Sequence, residues 1–118
     1  MNPDTLKALR DALREFTAER DWAQFHTPKN LAMALSGEVG EVIEHFQWLS
    51  AEQSAALDGE TREAVSLELA DVLLYLVRLA DVLDIDLAAA AQRKLAINAS
   101  RYPADKARGR ADKYDRLT

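Results

Sequence analysis

The sequence predicts an all-α protein, a four-helix bundle with a basic C-terminal tail. Two observations predict it. Apolar residues recur at helical spacing along nearly the whole chain, and the apolar–polar alternation of a strand occurs nowhere. The connections between the four periodic stretches are short, which makes successive helices antiparallel neighbours. At 118 residues the chain suffices for one hydrophobic core and not comfortably for two, so residues 1–103 are expected to form one domain and residues 104–118 a tail of that domain.

Each element carries its own signals. Asn2 and Pro3 read as a cap and first helical position, after which Leu6, Leu9, Leu13 and Phe16 mark one face of a helix to about Arg20. The segment DWAQFHTP breaks that period. Thr27 and Pro28 repeat the cap-and-proline signal, and Leu31, Leu35, Val42 and Leu49 carry an apolar stripe through a second helix ending near Trp48. SAEQSAALDGE is a polar connection with room for a turn or two of helix, started by a Ser50–Gln53 capping box. A third helix is expected from about Thr61 to Leu83, with Val65, Leu69, Val72, Leu76, Leu79 and Leu83 in register. Asp86 caps a fourth, from Leu87 to about Arg101, which Pro103 stops. Beyond it Lys106, Arg108, Arg110, Lys113 and Arg116 outnumber Asp105, Asp112 and Asp115, so a basic tail follows an acidic body.

Composition excludes several classes of function. A net charge of −5 and a pI near 5.0 argue against binding nucleic-acid polymers, which calls for a basic face. With no cysteine there are no disulfides, thiolate metal sites or thiol nucleophiles. The charged N-terminal stretch lacks a signal-peptide core, and the longest apolar run, VLLYLV from Val72, is too short for a membrane span. A cytoplasmic protein is expected.

Carboxylates interrupt the two most apolar helices. In LELADVLLYLV, residues 67–77, every position is apolar except Glu68, Asp71 and the Tyr75 phenol. A helix apolar on nearly all sides is buried on nearly all sides, and a buried carboxylate without a partner costs several kcal/mol. The second helix repeats the arrangement in LSGEVGEVIEHFQW, where Glu38 and Glu41 are again three residues apart and Glu38 occupies a leucine position of the stripe. Gly37 and Gly40 each cost about 1 kcal/mol relative to alanine inside a helix, which a close-approaching helix or ligand would explain. Two such pairs converging would bring four negative charges together, a cluster that requires cations. All-oxygen donors favour Mg²⁺, or Mn²⁺, completed by waters and substrate phosphates. Iron and zinc are disfavoured, because the E-x-x-H and H-E-x-x-H patterns are missing and His45 stands four residues after Glu41.

The residues GEVGEVIEHFQW, then 26 residues between Glu41 and Glu68, then ELADVLLYL and KLAINASRYP, together resemble the all-alpha nucleoside triphosphate pyrophosphohydrolases of the MazG type. The segment ERDWAQFHTPKNLAMALSGEVGE looks most like the dCTP pyrophosphatase branch. The resemblance covers nearly the whole chain. It implies hydrolysis of a (deoxy)nucleoside triphosphate to the monophosphate and pyrophosphate with Mg²⁺ held by Glu38, Glu41, Glu68 and Asp71, and house-cleaning of dCTP or modified dCTP. Glu41, with Glu38, is the candidate to orient or deprotonate the attacking water. It also implies substrate contacts from Trp22, Phe25, His26, Trp48, Tyr75, Lys94, Asn98, Arg101 and Tyr102, and assembly as a homodimer or tetramer. Lys94, Asn98 and Arg101 share one helix face, with cations for phosphate oxygens and an amide for a pyrimidine edge.

Relatives directed at dUTP or phosphoribosyl-ATP share the same bundle and carboxylates. A non-catalytic helical module is the contrasting reading. In it, arginines such as Arg78 and Arg93 would pair the carboxylates and the aromatics would face a protein partner.

Overall fold

The computed structural model describes residues 3–118, so the expected Asn2 cap lies outside the described residues. The helices are α1 (Pro3–Glu19), α2 (Pro28–Glu44), α3 (Ala51–Ser54), α4 (Gly59–Val82), α5 (Leu87–Arg101) and α6 (Ala104–Ala107). Single 3₁₀ turns lie at Ala23–Phe25 and Tyr114–Arg116, and the described residues contain no strand. The chain forms two compact units, one ending at Ile85 and the other spanning Asp86–Thr118. None of the helices described is long and apolar enough to cross a membrane.

Helix starts follow the capping residues. The Thr27 hydroxyl accepts from the Asn30 N–H at 3.1 Å, with Pro28 opening α2. Ser50 and Gln53 form the reciprocal capping box, at 3.1 and 2.9 Å. The Asp58 carboxylate accepts from Thr61 N–H at 2.7 Å, which starts α4 at Gly59 rather than at Thr61. Asp86 does the same for Ala89 at 3.0 Å and starts α5. Helix α2 stops four residues before the expected Trp48. Its last turn tightens into bonds such as Phe46 N–H to Ile43 C=O at 2.9 Å, and Ser50 must be extended, with ψ of 166°, to cap α3.

Two helix ends were not signalled by glycine. Asp21 and Asp84 adopt φ of 53° and 56° directly after α1 and α4. The next residue closes a six-residue Schellman bond in each case, Trp22 N–H to Thr17 C=O at 3.0 Å and Ile85 N–H to Ala80 C=O at 2.8 Å. Aspartate is among the few side chains that tolerate this left-handed conformation. The reversal at Asp21 brings Trp22 back edge-on against Phe16, with ring centroids 5.7 Å apart. The Arg20 guanidinium covers the Phe16 ring at 3.7 Å.

In the first unit α4 is the central element, packing against both α2 and α1. The core consists of Leu31 from α2 with Val65, Val77 and Ala80 from α4, beside Thr17 of α1. In the second unit the tail is folded rather than featureless. Helix α6 follows Pro103, Gly109 turns the chain with φ of 73°, and Arg110 pairs with Asp112 at 2.7 Å.

Leu31 is 2% exposed, so Leu31→Ala is expected to destabilise the protein by about 2–5 kcal/mol. Loss of the α5 cap in Asp86→Ala should cost about 1 kcal/mol. Urea unfolding of both variants measures this, and wild-type stability in the Leu31 variant would contradict a core centred there.

Candidate active site

The α2–α4 packing brings the two carboxylate pairs face to face. Glu38 and Glu41 project from α2, Glu68 and Asp71 from α4, and one oxygen from each lies within 4.8 Å of the others. Glu38 and Glu68 are half-buried while Glu41 and Asp71 are exposed, so the cluster has an inner pair and an open side. Glu38 Oε2 and Glu68 Oε2 are buried without a hydrogen-bond partner. A buried carboxylate oxygen with no donor is unfavourable unless a cation completes it. The orphaned oxygens and the all-oxygen donor set therefore fit a hard divalent cation such as Mg²⁺ or Mn²⁺.

The electrostatics agree with the geometry. Burial raises the Glu38 pKa above the ordinary carboxylate range, and the shared hydrogen bond with Glu41 and the charges of Glu41, Asp71 and Glu68 add to it. Glu68 is raised first by its hydrogen bond with Glu41, then by burial and the charges of Glu41 and Asp71. Glu41 thus acts on both inner carboxyls, its oxygen within 4.8 Å of each. Among the described residues no lysine or arginine forms a salt bridge to any of the four. The arginine pairing required by a non-catalytic module is not formed, since Arg78 reaches Asp81 instead. His45, which the sequence places on the surface, is partly covered with Nε2 3.8 Å from Glu68 Oε1. That proximity follows from the i, i+4 spacing of Glu41 and His45 once the facing helix is known.

Of the two reasons expected for the helix glycines, a facing helix is not the one within this chain. A Cβ built at Gly37 or Gly40 meets nothing within 4 Å, so neither marks a close helix contact here. They leave the α2 surface beside the glutamates bare.

Next to the cluster a cavity of about 230 Å³ opens between α1, the first connection and α4. Trp22, His26 and Tyr75 line it together with Asp71 and Arg78, which joins three of the expected substrate contacts to one of the carboxylates. Along α4 the residues Glu68, Asp71, Tyr75 and Arg78 form one stripe at helical spacing. Phe25 and Trp48 are not part of this lining; they are 59% and 87% exposed. Lys94, Asn98, Arg101 and Tyr102 belong to the second unit. There Arg101 lies over the Tyr114 ring at 4.8 Å and Tyr102 meets Tyr114 edge-on at 6.1 Å, a clasp formed by the tail. The sequence offered only a lone tyrosine as a hint of it.

Residues 33–117 match the model of the MazG-like family. The chain is 48% identical to dCTP pyrophosphatase 1 of Homo sapiens over 115 residues, covering 96% of this chain and 68% of that protein. The Mus musculus dCTP pyrophosphatase 1 is equally similar, 48% over 115 residues with 96% and 68% covered. Among solved structures, a pyrophosphatase from Archaeoglobus fulgidus superposes with a TM-score of 0.79 at 42% identity, covering 84% of this chain and 93% of its own.

The raised carboxyls set a pH dependence. A folded-state pKa above the unfolded value means the native state binds more protons, so these groups cost stability as pH rises from about 4.5 toward neutrality. His26 acts oppositely, because burial and then Arg78 lower its pKa. Comparison with Glu38→Gln cancels the His26 contribution. In chelated protein the Tm advantage of Glu38→Gln over wild type should grow between about pH 5 and pH 7.5 and shrink when Mg²⁺ is added. An advantage independent of pH would contradict the clustering.

Proposed function

The chain is a member of the MazG-like family, and on that premise we propose that it hydrolyses a deoxynucleoside triphosphate, foremost dCTP or a modified dCTP, to the monophosphate and pyrophosphate with Mg²⁺. The observation that carries the metal-dependent reading is the four-carboxylate cluster with two buried, unpartnered oxygens and, among the described residues, no lysine or arginine paired to it. Hydrolysis of the nucleotide itself rests on the 48% identity to enzymes named for it. The work is house-cleaning of the cytoplasmic nucleotide pool.

Glu38, Glu41, Glu68 and Asp71 would hold the ion. The chemistry a bound Mg²⁺ supplies is neutralisation of the triphosphate and acidification of water. Glu41 sits on the open side of the cluster, with an oxygen within 4.8 Å of both inner carboxyls, and would orient a water and take its proton. Glu38, beside it on α2, would support that role. Trp22, His26 and Tyr75 bound a space for a flat base directly beside Asp71, so the cluster and the base site share a wall. Lys94 and Arg101, with Asn98 and Tyr102, carry the cations and polar groups that the family resemblance implies for phosphate and base contacts, and Phe25 and Trp48 are its exposed aromatics.

Self-association is part of the same reading. Only four apolar side chains are buried among the described residues, whereas Met33, Ile43, Leu67 and Leu95 are 64%, 54%, 60% and 70% exposed. An isolated chain would leave these helix faces in water, so a homodimer or tetramer is expected by light scattering. A monomer at micromolar concentration would contradict it.

Chromatography of the products from each dNTP and NTP tests the chemistry. Monophosphate and pyrophosphate should form fastest from dCTP, only with a divalent cation. Glu38→Gln and Asp71→Asn should each lower turnover by about a hundredfold or more with the helical content unchanged, because the amide binds the cation poorly. Wild-type rates in either variant would defeat the metal assignment.

A further inference from the structure

The cavity beside Asp71 has a polar end at which the hydrogen-bonding sense is one-sided. Arg78 is largely covered there, its side chain 12% exposed. Its Nε–H donates to His26 Nδ1 at 3.0 Å and its Nη1 to Asp81 Oδ2 at 3.4 Å. Asp81, 10% exposed, also accepts two bonds from Arg14, at 2.8 and 2.5 Å. The Arg14 hydrogen bond holds the Asp81 carboxyl below its usual range, with Arg78 adding to this, so the anchor stays ionised.

A guanidinium carries five N–H donors and no acceptor. Two of the Arg78 donors are engaged by His26 and Asp81, and the others, including those on Nη2, have no acceptor among the described residues. His26 accepts at Nδ1, so its proton in the neutral ring sits on Nε2 and it too presents a donor. This end of the cavity therefore asks its occupant for acceptors. Leu13, Phe16, Trp22 and Leu74 supply apolar and aromatic walls, and Thr17, Tyr75 and Asp71 complete the lining away from this donor end. At about 230 Å³ the space is smaller than the roughly 300–1,000 Å³ of drug-sized pockets and suits a single ring.

We propose that Arg78 is the specificity-determining residue of the base site, its guanidinium donating to the adjacent ring-nitrogen and carbonyl acceptors of a cytosine. The inference rests on the pyrophosphohydrolase reading above. Cytosine presents N3 and O2 as neighbouring acceptors, which the fork of a guanidinium matches as a pair. Uracil and thymine place an N–H at position 3, and a donor facing a donor is left unpaired. An amide such as Asn98 can turn over to suit either ring, so it discriminates weakly between them; a guanidinium cannot invert its sense. The placement along α4 agrees. Arg78 lies seven residues beyond Asp71 on the same stripe, about 10 Å along the helix, which is the scale of the span from an α-phosphate to the far edge of its base.

The test is kcat/KM for dCTP, dUTP and 3-deaza-dCTP, whose ring nitrogen is replaced by carbon, in wild type, Arg78→Lys and Arg78→Gln. Wild type should favour dCTP over both competitors by on the order of tenfold or more. In Arg78→Lys, which keeps a cation for Asp81, and in Arg78→Gln, that advantage should collapse mainly through KM. The 3-deaza comparison needs only the wild-type protein, so an unfolded variant does not remove the test. Wild type that turns over dCTP and 3-deaza-dCTP equally well, or variants that keep the full dCTP:dUTP ratio, would overturn the role of Arg78 and leave the pyrophosphohydrolase reading standing. Absence of turnover with any nucleotide would overturn both.

Discussion

Mutual repulsion among four carboxylates, with no lysine or arginine among the described residues paired to them, is the constraint around which this chain is arranged. Glu38, Glu41, Glu68 and Asp71 bring an oxygen each within 4.8 Å of one another. Two of the oxygens are cut off from water and from donors. Folding energy from the α2–α4 contact must hold them there, since nothing in the cluster itself does. A site so built would bind a cation strongly, because its ligands are collected beforehand and the ion would relieve a strain already present.

Helix α4 turns this local arrangement into a whole site. It is the element that both α1 and α2 pack against. One of its faces supplies Val65, Val77 and Ala80 to the core. Another runs from Glu68 through Asp71 and Tyr75 to Arg78, passing from the carboxylate cluster into the aromatic cavity without leaving one rigid rod. Under the proposed function, the distance between the reacting end of the substrate and its recognised end would therefore be set by helical rise rather than by a loop. Loops contribute where closure matters: the Asp21 turn folds Trp22 onto Phe16 and makes the opposite wall.

Much of this was legible in the sequence because it depends on local spacing. Thr27, Ser50 and Asp86 announced their helices, and each side chain accepts the expected N–H, whereas Asp58, which the sequence places in a connection, caps α4 two residues early. The E-x-x-E and E-x-x-D pairs were visible because both interrupt apolar stripes. Other features needed the third dimension. The Asp21 and Asp84 turns lack the glycine that usually marks a left-handed residue, and the bare surface at Gly37 and Gly40 is a statement about what does not face them. Arg78 meets His26 across 52 positions and Arg14 meets Asp81 across 67, separations at which sequence pattern carries no signal. The Tyr114 clasp on Arg101 and Tyr102 has the same cause, with a single aromatic among charged tail residues revealing nothing of its contacts.

The Arg14–Asp81–Arg78 chain of charges has a consequence for divergence among descendants of this protein. Arg14 stands on the outside of α1, where surface positions ordinarily drift freely, yet it fixes the carboxylate that fixes a residue lining the cavity. Drift at a position remote from the nucleotide could then loosen Asp81 and change what the cavity accepts, with the carboxylate ligands untouched. Under the proposed function, new preferences would then be reachable through α1 with the four carboxylates unchanged, so the two halves of the site are free to evolve separately.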